Sequence, residues 1–214
     1  MEPPEAGETC TRAQPGGDRP LAGRGLAPGK KNARRLGAHI VFVDESGFLL
    51  IPPTKRTWAP RGKTPVLLHR LRHDRLSAIS GVSVSPVRGH LSLYFKLYPH
   101  NISQQEVLSF LRHLIRHIPG HIIILWDRWA THRGKLVREY AGRHPRLHLE
   151  YLPAYAPDLN PDEGVWSQLK SSLANGRPDD IRDLEGHLLA CLADLRSSQP
   201  KLRACVHRSQ LPLF

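Results

Sequence analysis

The stretch "HIIILWD", residues 121–127, decides the fold class of this chain. Its continuous apolar run is typical of a β-strand covered on both faces, as in the centre of a parallel sheet. Asp127 stands at the carboxyl end of this predicted strand. A carboxylate at the edge of an apolar core loses hydration unless a cation or a hydrogen-bond donor compensates it. Asp127 is therefore either bonded to the following turn or to a nearby arginine, such as Arg128 or Arg133, or part of a functional site.

Further strands are predicted upstream of this run. The segment "AHIVFVDESGFLLIPP", residues 38–53, has two short apolar runs around "DESG", which predicts a hairpin with Asp44 at the end of its first strand. The segments "LSAISGVSVS" and "HLSLYFKLYP" predict a second pair of strands. From Ser103 the apolar residues recur at helical spacing, which predicts an amphipathic helix.

Helices and strands alternate downstream of Asp127. The pattern predicts three helical segments and one short strand: residues 132–143, a helix from Pro161, residues 180–196 and the strand "LHLEYLP". This order of elements predicts a mixed sheet in an α/β domain that spans residues 38–214. Ligands of open α/β sheets gather beyond the carboxyl ends of strands, so Asp44 and Asp127 are candidates for one site.

The first 37 residues differ from the rest in composition. They are crowded with glycine and proline and lack apolar periodicity, which predicts a disordered basic head. Residues 38–214 still carry 24 Lys and Arg against 15 Asp and Glu. This excess suits a polyanion such as nucleic acid, although a GC-rich genome or a need for solubility also produces basic chains.

Cysteine usage and hydropathy bound the class of protein. The three cysteines, Cys10, Cys191 and Cys205, have no metal-ligand spacing and fit a reducing, intracellular setting. No apolar run approaches the roughly 18 residues of a membrane span. We therefore expect a protein without a membrane partner.

A second acidic stretch, "PDLNPDEGVWSQLK" at residues 157–170, concentrates carboxylates at the start of a predicted helix. Asn160 suits an N-cap, and acids in the first turn complement the helix dipole. Glu163 could equally point into a cleft. If Asp44, Asp127 and Glu163 converge, their mutual repulsion needs cations, and oxygen ligands select a hard ion such as Mg²⁺.

Four blocks, in this order, resemble the catalytic domain of mariner-type DDE transposases, in the branch typical of bacterial insertion sequences: "VFVDESGF", "TWAPRGKTP", "IIILWDRWATHR" and "YLPAYAPDLNPDEGVWSQLK". The resemblance implies a ribonuclease-H-like fold with a mixed five-stranded sheet flanked by helices. It assigns Asp44, Asp127 and Glu163 as catalytic metal ligands. It also implies Mg²⁺-dependent cleavage of element ends, with Mn²⁺ as a substitute, followed by attack of the freed 3′-hydroxyl on target DNA.

Basic residues near these motifs are the predicted DNA contacts: Lys55, Arg56, Arg61, Lys63, Arg128, His132, Arg133 and Lys170. His132 matches the "WD....H" pattern of the family, and a plain helix-start residue is its alternative role. We expect Trp58 to pack under the hairpin that this basic stretch forms, with DNA contact as its alternative role. We expect Trp166, which shares a helix face with Glu163, to anchor that helix and fix the carboxylate.

Two features depart from the family pattern. Asp162 stands where the family usually has an apolar residue, so it competes for metal or perturbs the site. Family members carry helix-turn-helix domains before the catalytic domain, which residues 1–37 do not encode. The expected partners are therefore transposon-end and target DNA, a second copy in a homodimer and a separately encoded helix-turn-helix half, in the bacterial cytoplasm. The alternatives are a noncatalytic DNA-binding remnant and a general two-metal nuclease on the same fold.

Overall fold

The computed structural model describes residues 31–51, 53–67, 74–87, 89–153 and 157–209. These residues form one five-stranded sheet in the order β3-β2-β1-β4-β5. The strands are β1 (His39–Leu49), β2 (Arg75–Val84), β3 (Leu91–Tyr98), β4 (Ile122–Trp126) and β5 (Leu147–Tyr151). β1, β2 and β3 pair antiparallel, whereas β4 and β5 run parallel to β1. The predicted mixed five-stranded sheet is confirmed.

Helices cover both faces of this sheet. The helices that follow β3 are α1 (Gln104–His117), α2 (Lys135–Gly142), α3 (Asp162–Leu173), α4 (Ile181–Ser197) and α5 (Gln199–Arg208). The start of α1 is fixed by a capping box, in which Ser103 accepts from the Gln105 N–H and Glu106 accepts from the Ser103 N–H at 2.8 Å. Among the described residues, no helix is long and apolar enough to cross a membrane.

Alternation along β1 separates two cores. Ile40 and Phe42 belong to a cluster that includes Trp166 of α3 and leucines of α4. Val41 and Val43 belong to a second cluster, formed with the inner sides of α1 and α2. All five residues of β4 are buried, which confirms the prediction of a strand covered on both faces.

The predicted hairpin within residues 38–53 is wrong. β1 runs through "DESG" without a break, because it pairs with β2 continuously from Ile40 opposite Val84 to Leu49 opposite Arg75. Asp44 therefore lies in the middle of a strand rather than at its end. The pairing of β1 with β4 stops at Phe42 opposite Leu125, so Asp44 lies where β1 no longer has β4 beside it.

Three other elements differ from the prediction. Residues 31–36 are helical and Ala33 is buried, so order begins before residue 37, while residues 1–30 lie outside the described part. Helix α2 starts three residues after His132, which lies in the preceding turn. Helix α5 was not predicted, although its buried residues Leu202, Cys205 and Val206 have helical spacing.

Candidate active site

Asp44 projects from the middle of β1 toward helix α3. The indole Nε1–H of Trp166 donates a hydrogen bond of 3.0 Å to Asp44 Oδ2. Trp166 is buried and packs edge-to-face on Phe48, which lies on β1 like Asp44, with ring centroids 6.0 Å apart. The predicted anchoring role of Trp166 is thus present, and its indole also contacts the carboxylate directly.

The environment of Asp44 disfavours its charge. Burial, and then repulsion from Glu45 and from Glu163, raise the pKa of Asp44 to about 7, although the Trp166 hydrogen bond lowers it. The contribution of Glu163 means that the carboxylates from β1 and α3 lie close enough to repel each other. Two of the three predicted acids are therefore brought together.

The start of α3 is tied to β1 beside Asp44. The Asn160 side chain donates from Nδ2 to the Val43 carbonyl at 3.3 Å and accepts from the Asp162 N–H at 3.2 Å. Pro161, rather than the predicted Asn160, occupies the N-cap because the helix begins at Asp162, but the Asn160 side chain still ties the helix start to β1. The Glu163 side chain that follows is exposed.

Glycine at position 164 lets α3 approach helix α5 closely. A Cβ at Gly164 would lie 2.8 Å from Cys205 Cα and 2.9 Å from Cys205 Cβ. Real Cβ atoms do not approach other atoms this closely, so any larger side chain would push the two helices apart. Helix packing thus helps to set the position of the neighbouring Glu163.

Asp162 faces the protein interior rather than the cleft. It is fully buried, and its carboxylate accepts hydrogen bonds from the Ser80 hydroxyl and, at 3.3 Å, from the Val82 N–H. Burial raises its pKa well above the ordinary value. These contacts join α3 to β2. Asp162 therefore has a structural role and does not compete for metal.

Asp127 directly follows β4, as predicted. Its Oδ1 accepts from the Trp129 N–H at 2.8 Å and lies 2.8 Å from His132 Nδ1. His132 Nε2 in turn lies 2.9 Å from Glu45 Oε1. Sequence reasoning left Asp127 open between a turn contact and a functional site, and the turn contact is present.

His132 is buried between these two carboxylates. Burial alone would lower its pKa, but the hydrogen bond and charge of Glu45 and the charge of Asp127 outweigh burial and raise it. Its side chain is 1% exposed, so the predicted DNA contact by His132 is wrong because the ring has no accessible surface. Glu45 was not singled out from the sequence, although it directly follows Asp44.

Asp44 and Asp127 lie just beyond the paired part of β1 and β4. Phe42 is paired with Leu125, and two further steps along each strand lead to Asp44 and Asp127. The two carboxylates have different partners, Trp166 for Asp44 and His132 for Asp127. Within the described residues, however, no three His, Cys, Asp or Glu side chains gather closely enough to enclose a metal ion.

Most of the predicted DNA contacts are exposed. Lys55, Arg56, Arg61 and Lys63 lie in residues 53–67, which form no regular strand or helix, and Arg128, Arg133 and Lys170 are also exposed. The extended segment is attached to the end of α3, since the Lys55 N–H donates to Asn175 Oδ1 at 2.8 Å. Trp58 is 99% exposed, so the prediction that it packs beneath this segment is wrong.

A cleft of about 200 Å³ adjoins Glu163, and its lining includes Asn160, Ser167 and Arg208. Arg208 Nη1 donates to Ser167 Oγ at 3.2 Å. Sequence reasoning missed Arg208 because it lies on the unpredicted helix α5. The cleft sets a guanidinium beside the candidate catalytic carboxylate.

Solved transposase structures share this architecture. The Mos1 transposase paired-end complex with left transposon end is 20% identical, with a TM-score of 0.60 over 93% of this chain and 64% of that chain. The mariner Mos1 paired-end complex with Mg is 21% identical, with a TM-score of 0.58 over 86% of this chain and 57% of that chain. The corresponding complex with Mn is 18% identical, with a TM-score of 0.53 over 96% of this chain and 69% of that chain.

These likenesses show the fold, and they confirm the ribonuclease-H-like prediction. The chain spans 64% and 57% of the lengths of the first and second of these matched chains, respectively. Among curated protein sequences, none matches this chain. A family model described as DDE superfamily endonuclease matches residues 39–185. More than half of the chain is covered by that match, and the chain therefore belongs to the DDE superfamily endonuclease family.

Proposed function

We propose that this chain is the catalytic domain of a DDE transposase, which cleaves DNA at element ends and joins the freed 3′-hydroxyl to target DNA. Asp44, Asp127 and Glu163 are the proposed ligands of Mg²⁺, for which Mn²⁺ substitutes. The observation that carries the proposal is the Asp44 carboxylate hydrogen-bonded to Trp166, on the helix that bears Glu163; burial, and then repulsion from Glu45 and Glu163, raise the pKa of Asp44 to about 7. Carboxylates arranged in this way favour a bound cation.

The donor chemistry fits a hard divalent ion. The proposed ligands offer only oxygen, which suits Mg²⁺ and Mn²⁺ better than Zn²⁺. Repulsion between Asp44 and Glu163 would be relieved by a bound cation. The Trp129 and His132 contacts of the Asp127 carboxylate both use Oδ1, so in this proposal Oδ2 binds the ion. A bound pair of such ions activates a water or a 3′-hydroxyl and stabilises the leaving oxygen of a phosphodiester.

The residues around these acids have distinct proposed roles. Trp166 orients Asp44 through its indole N–H, and the packing of α3 on α5 holds Glu163 opposite. Lys55, Arg56, Arg61 and Lys63 bind the DNA backbone by charge, and Arg128, Arg133 and Lys170 extend this surface. Contacts of this kind supply affinity rather than sequence specificity.

The partners of the whole protein also belong to this proposal. They are transposon-end and target DNA, a second copy of the chain and a separately encoded helix-turn-helix half, acting in the bacterial cytoplasm. The Mos1 structures include complexes with a transposon end and with Mg, which supports a DNA substrate and a divalent ion here by analogy of fold.

Cleavage of supercoiled plasmid in the presence of Mn²⁺ tests the proposal. We expect nicking by the wild type, loss of nicking in Asp127→Ala, and wild-type nicking in Glu139→Ala. Glu139 is a matched control because it is an exposed carboxylate on α2, paired with Lys135 and Arg143. Unchanged nicking in Asp127→Ala would contradict the assignment of Asp127.

Two further measurements distinguish a transposase from a general nuclease and from a noncatalytic remnant. A 3′-hydroxyl oligonucleotide joined to plasmid indicates strand transfer, whereas nicking without joined product favours a general nuclease. DNA binding that falls with salt but ignores Mg²⁺, without any nicking, favours a noncatalytic remnant.

A further inference from the structure

Glu45, His132 and Asp127 form a continuous chain of contacts that joins β1 to the end of β4. Glu45 Oε1 lies 2.9 Å from His132 Nε2, and His132 Nδ1 lies 2.8 Å from Asp127 Oδ1. His132 Nδ1 also lies 3.3 Å from the Asp127 main-chain carbonyl, so Asp127 contacts this nitrogen with its carboxylate and its backbone, while Glu45 contacts Nε2. The sequence separates Glu45 from His132 by 87 positions, so the fold creates this arrangement.

The imidazole at the centre of this chain is held in one orientation. Its ring stacks on Trp126 with centroids 4.4 Å apart and an interplanar angle of 3°, and Trp129 meets it edge-on at 5.6 Å. The ring is 1% exposed and the Glu45 side chain only 14% exposed, so the hydrogen bond between them is shielded from water. A ring confined in this way directs Nδ1 toward a fixed point.

The orientation of the Asp127 carboxylate depends on its contact with His132 Nδ1, because the side chain is otherwise exposed. The carboxylate is 60% exposed, and a surface aspartate without a partner turns freely among its rotamers. The His132 contact and the Trp129 N–H both hold Oδ1, which leaves the carboxylate plane defined. Glu45 directly follows Asp44 on β1. The contacts through His132 therefore also link Asp127 to the strand that carries Asp44.

We propose that Glu45 and His132 are positioning residues for Asp127, holding its carboxylate in the orientation that receives a divalent cation. This inference rests on the proposed function, since it assumes that Asp127 is a metal ligand. Partners behind a metal ligand fix its orientation, and their loss typically weakens metal affinity about 10- to 100-fold. Neither residue touches the reacting DNA in this proposal.

A matched pair of His132 variants separates positioning from simple packing. The amide nitrogen of asparagine occupies nearly the place of imidazole Nδ1, whereas that of glutamine occupies the place of Nε2. His132→Asn therefore keeps a donor toward Asp127, and His132→Gln keeps one toward Glu45. Both lose the aromatic stacking on Trp126. We expect Mn²⁺ affinity to fall about tenfold or more in His132→Gln and clearly less in His132→Asn.

A second pair tests the hydrogen bond of Glu45 apart from its charge. Glu45→Gln removes the charge and keeps an acceptor for His132 Nε2, while Glu45→Ala removes both. We expect Glu45→Ala to bind Mn²⁺ more weakly than Glu45→Gln. The Glu45 side chain is less buried than His132, so these two variants provide the test if both His132 variants fail to fold.

The readout is Mn²⁺ affinity by calorimetry or by paramagnetic resonance of free Mn²⁺, with Asp127→Ala and Val137→Ala as controls. Val137 is buried in the core cluster that contains Trp126, so Val137→Ala destabilises the fold without altering the contacts of Glu45, His132 and Asp127. Equal affinities within both pairs would overturn the positioning role. If the wild type and Asp127→Ala bind Mn²⁺ equally, the metal site itself fails, and the inference falls with it.

Discussion

The indole of Trp166 and the carboxylate of Asp44 are hydrogen-bonded at 3.0 Å between helix α3 and strand β1. One residue thus joins the helix that carries Glu163 to the strand that carries Asp44. Edge-to-face packing on Phe48 fixes the indole plane, so the hydrogen bond has a defined direction. The relative placement of two candidate ligands therefore depends on this contact.

Trp166→Phe should weaken metal binding more than it weakens folding. Phenylalanine keeps most of the buried ring but removes the N–H, which leaves Asp44 without its indole donor. Loss of one hydrogen bond to a charged group costs about 1.5–3 kcal/mol, which would lower Mn²⁺ affinity by about tenfold or more. Calorimetric titration with Mn²⁺ measures the change, and an unaltered affinity would show that Trp166 only packs.

The stability of the metal-free protein should decline as the pH rises from about 4 to 7. The pKa of Asp44 is raised in the folded state from 3.8 to about 7, so the folded form retains a proton that the unfolded chain has released. That contribution is complete below the unfolded pKa and is lost as the pH rises through the folded pKa. One such group changes the free energy of unfolding by at most about 1.4 kcal/mol per pH unit.

Urea unfolding across this pH range checks the Asp44 effect. The slope should be shallower in Asp44→Asn than in the wild type, because the substituted side chain does not titrate. Asp162, whose pKa is also raised by burial, contributes in the same direction and remains in both proteins. Identical slopes in the two proteins would mean that folding leaves the pKa of Asp44 unshifted.

Asp162→Asn should be tolerated and Asp162→Ala should not. Asparagine can still accept from the Val82 N–H and bond to the Ser80 hydroxyl, so we expect a change within about 1 kcal/mol. Alanine leaves both buried donors without this acceptor, which costs about 1–3 kcal/mol per unsatisfied group. Thermal unfolding of the two variants measures the difference, and equal melting temperatures would remove the proposed link between α3 and β2.

Gly164→Ala should destabilise the fold, whereas Gly186→Ala should not. The added methyl at position 164 meets the Cys205 backbone at 2.8 Å, while at Gly186 nothing lies within 4 Å. Overpacking costs about 1–3 kcal/mol, and an exposed helical glycine replaced by alanine gains up to about 1 kcal/mol. Both residues lie in helices, so opposite signs in urea unfolding would isolate the close approach of α3 and α5.

Local sequence patterns predicted the parts of the site that local patterns determine. The apolar run of β4 placed Asp127 at a strand end, and Ser103 with the following periodicity placed α1. Asp44 was assigned to a strand end because "DESG" resembles a turn, whereas the pairing partner β2 keeps that segment extended. Pairing with a distant strand overrode the local preference.

Contacts between distant residues could not be predicted in the same way. Ser80 and Asp162 lie 82 positions apart, and Glu45 and His132 lie 87 apart. Nothing in the sequence around His132 distinguishes a buried imidazole between two carboxylates from an exposed DNA contact. Trp58 is the opposite case: the sequence suggested a packed residue, and the side chain is exposed.

A Mn²⁺ titration of the melting temperature tests the central claim most directly, in the wild type and in Asp44→Asn, Asp127→Ala and Glu163→Ala. An ion that binds the folded state at 100 times its Kd stabilises by about 2.7 kcal/mol. For a chain of this size, that gain corresponds to roughly 5–10 °C. The account predicts this rise in the wild type and its loss in each variant. An equal response of all four proteins to Mn²⁺ would contradict a metal site built from these three acids.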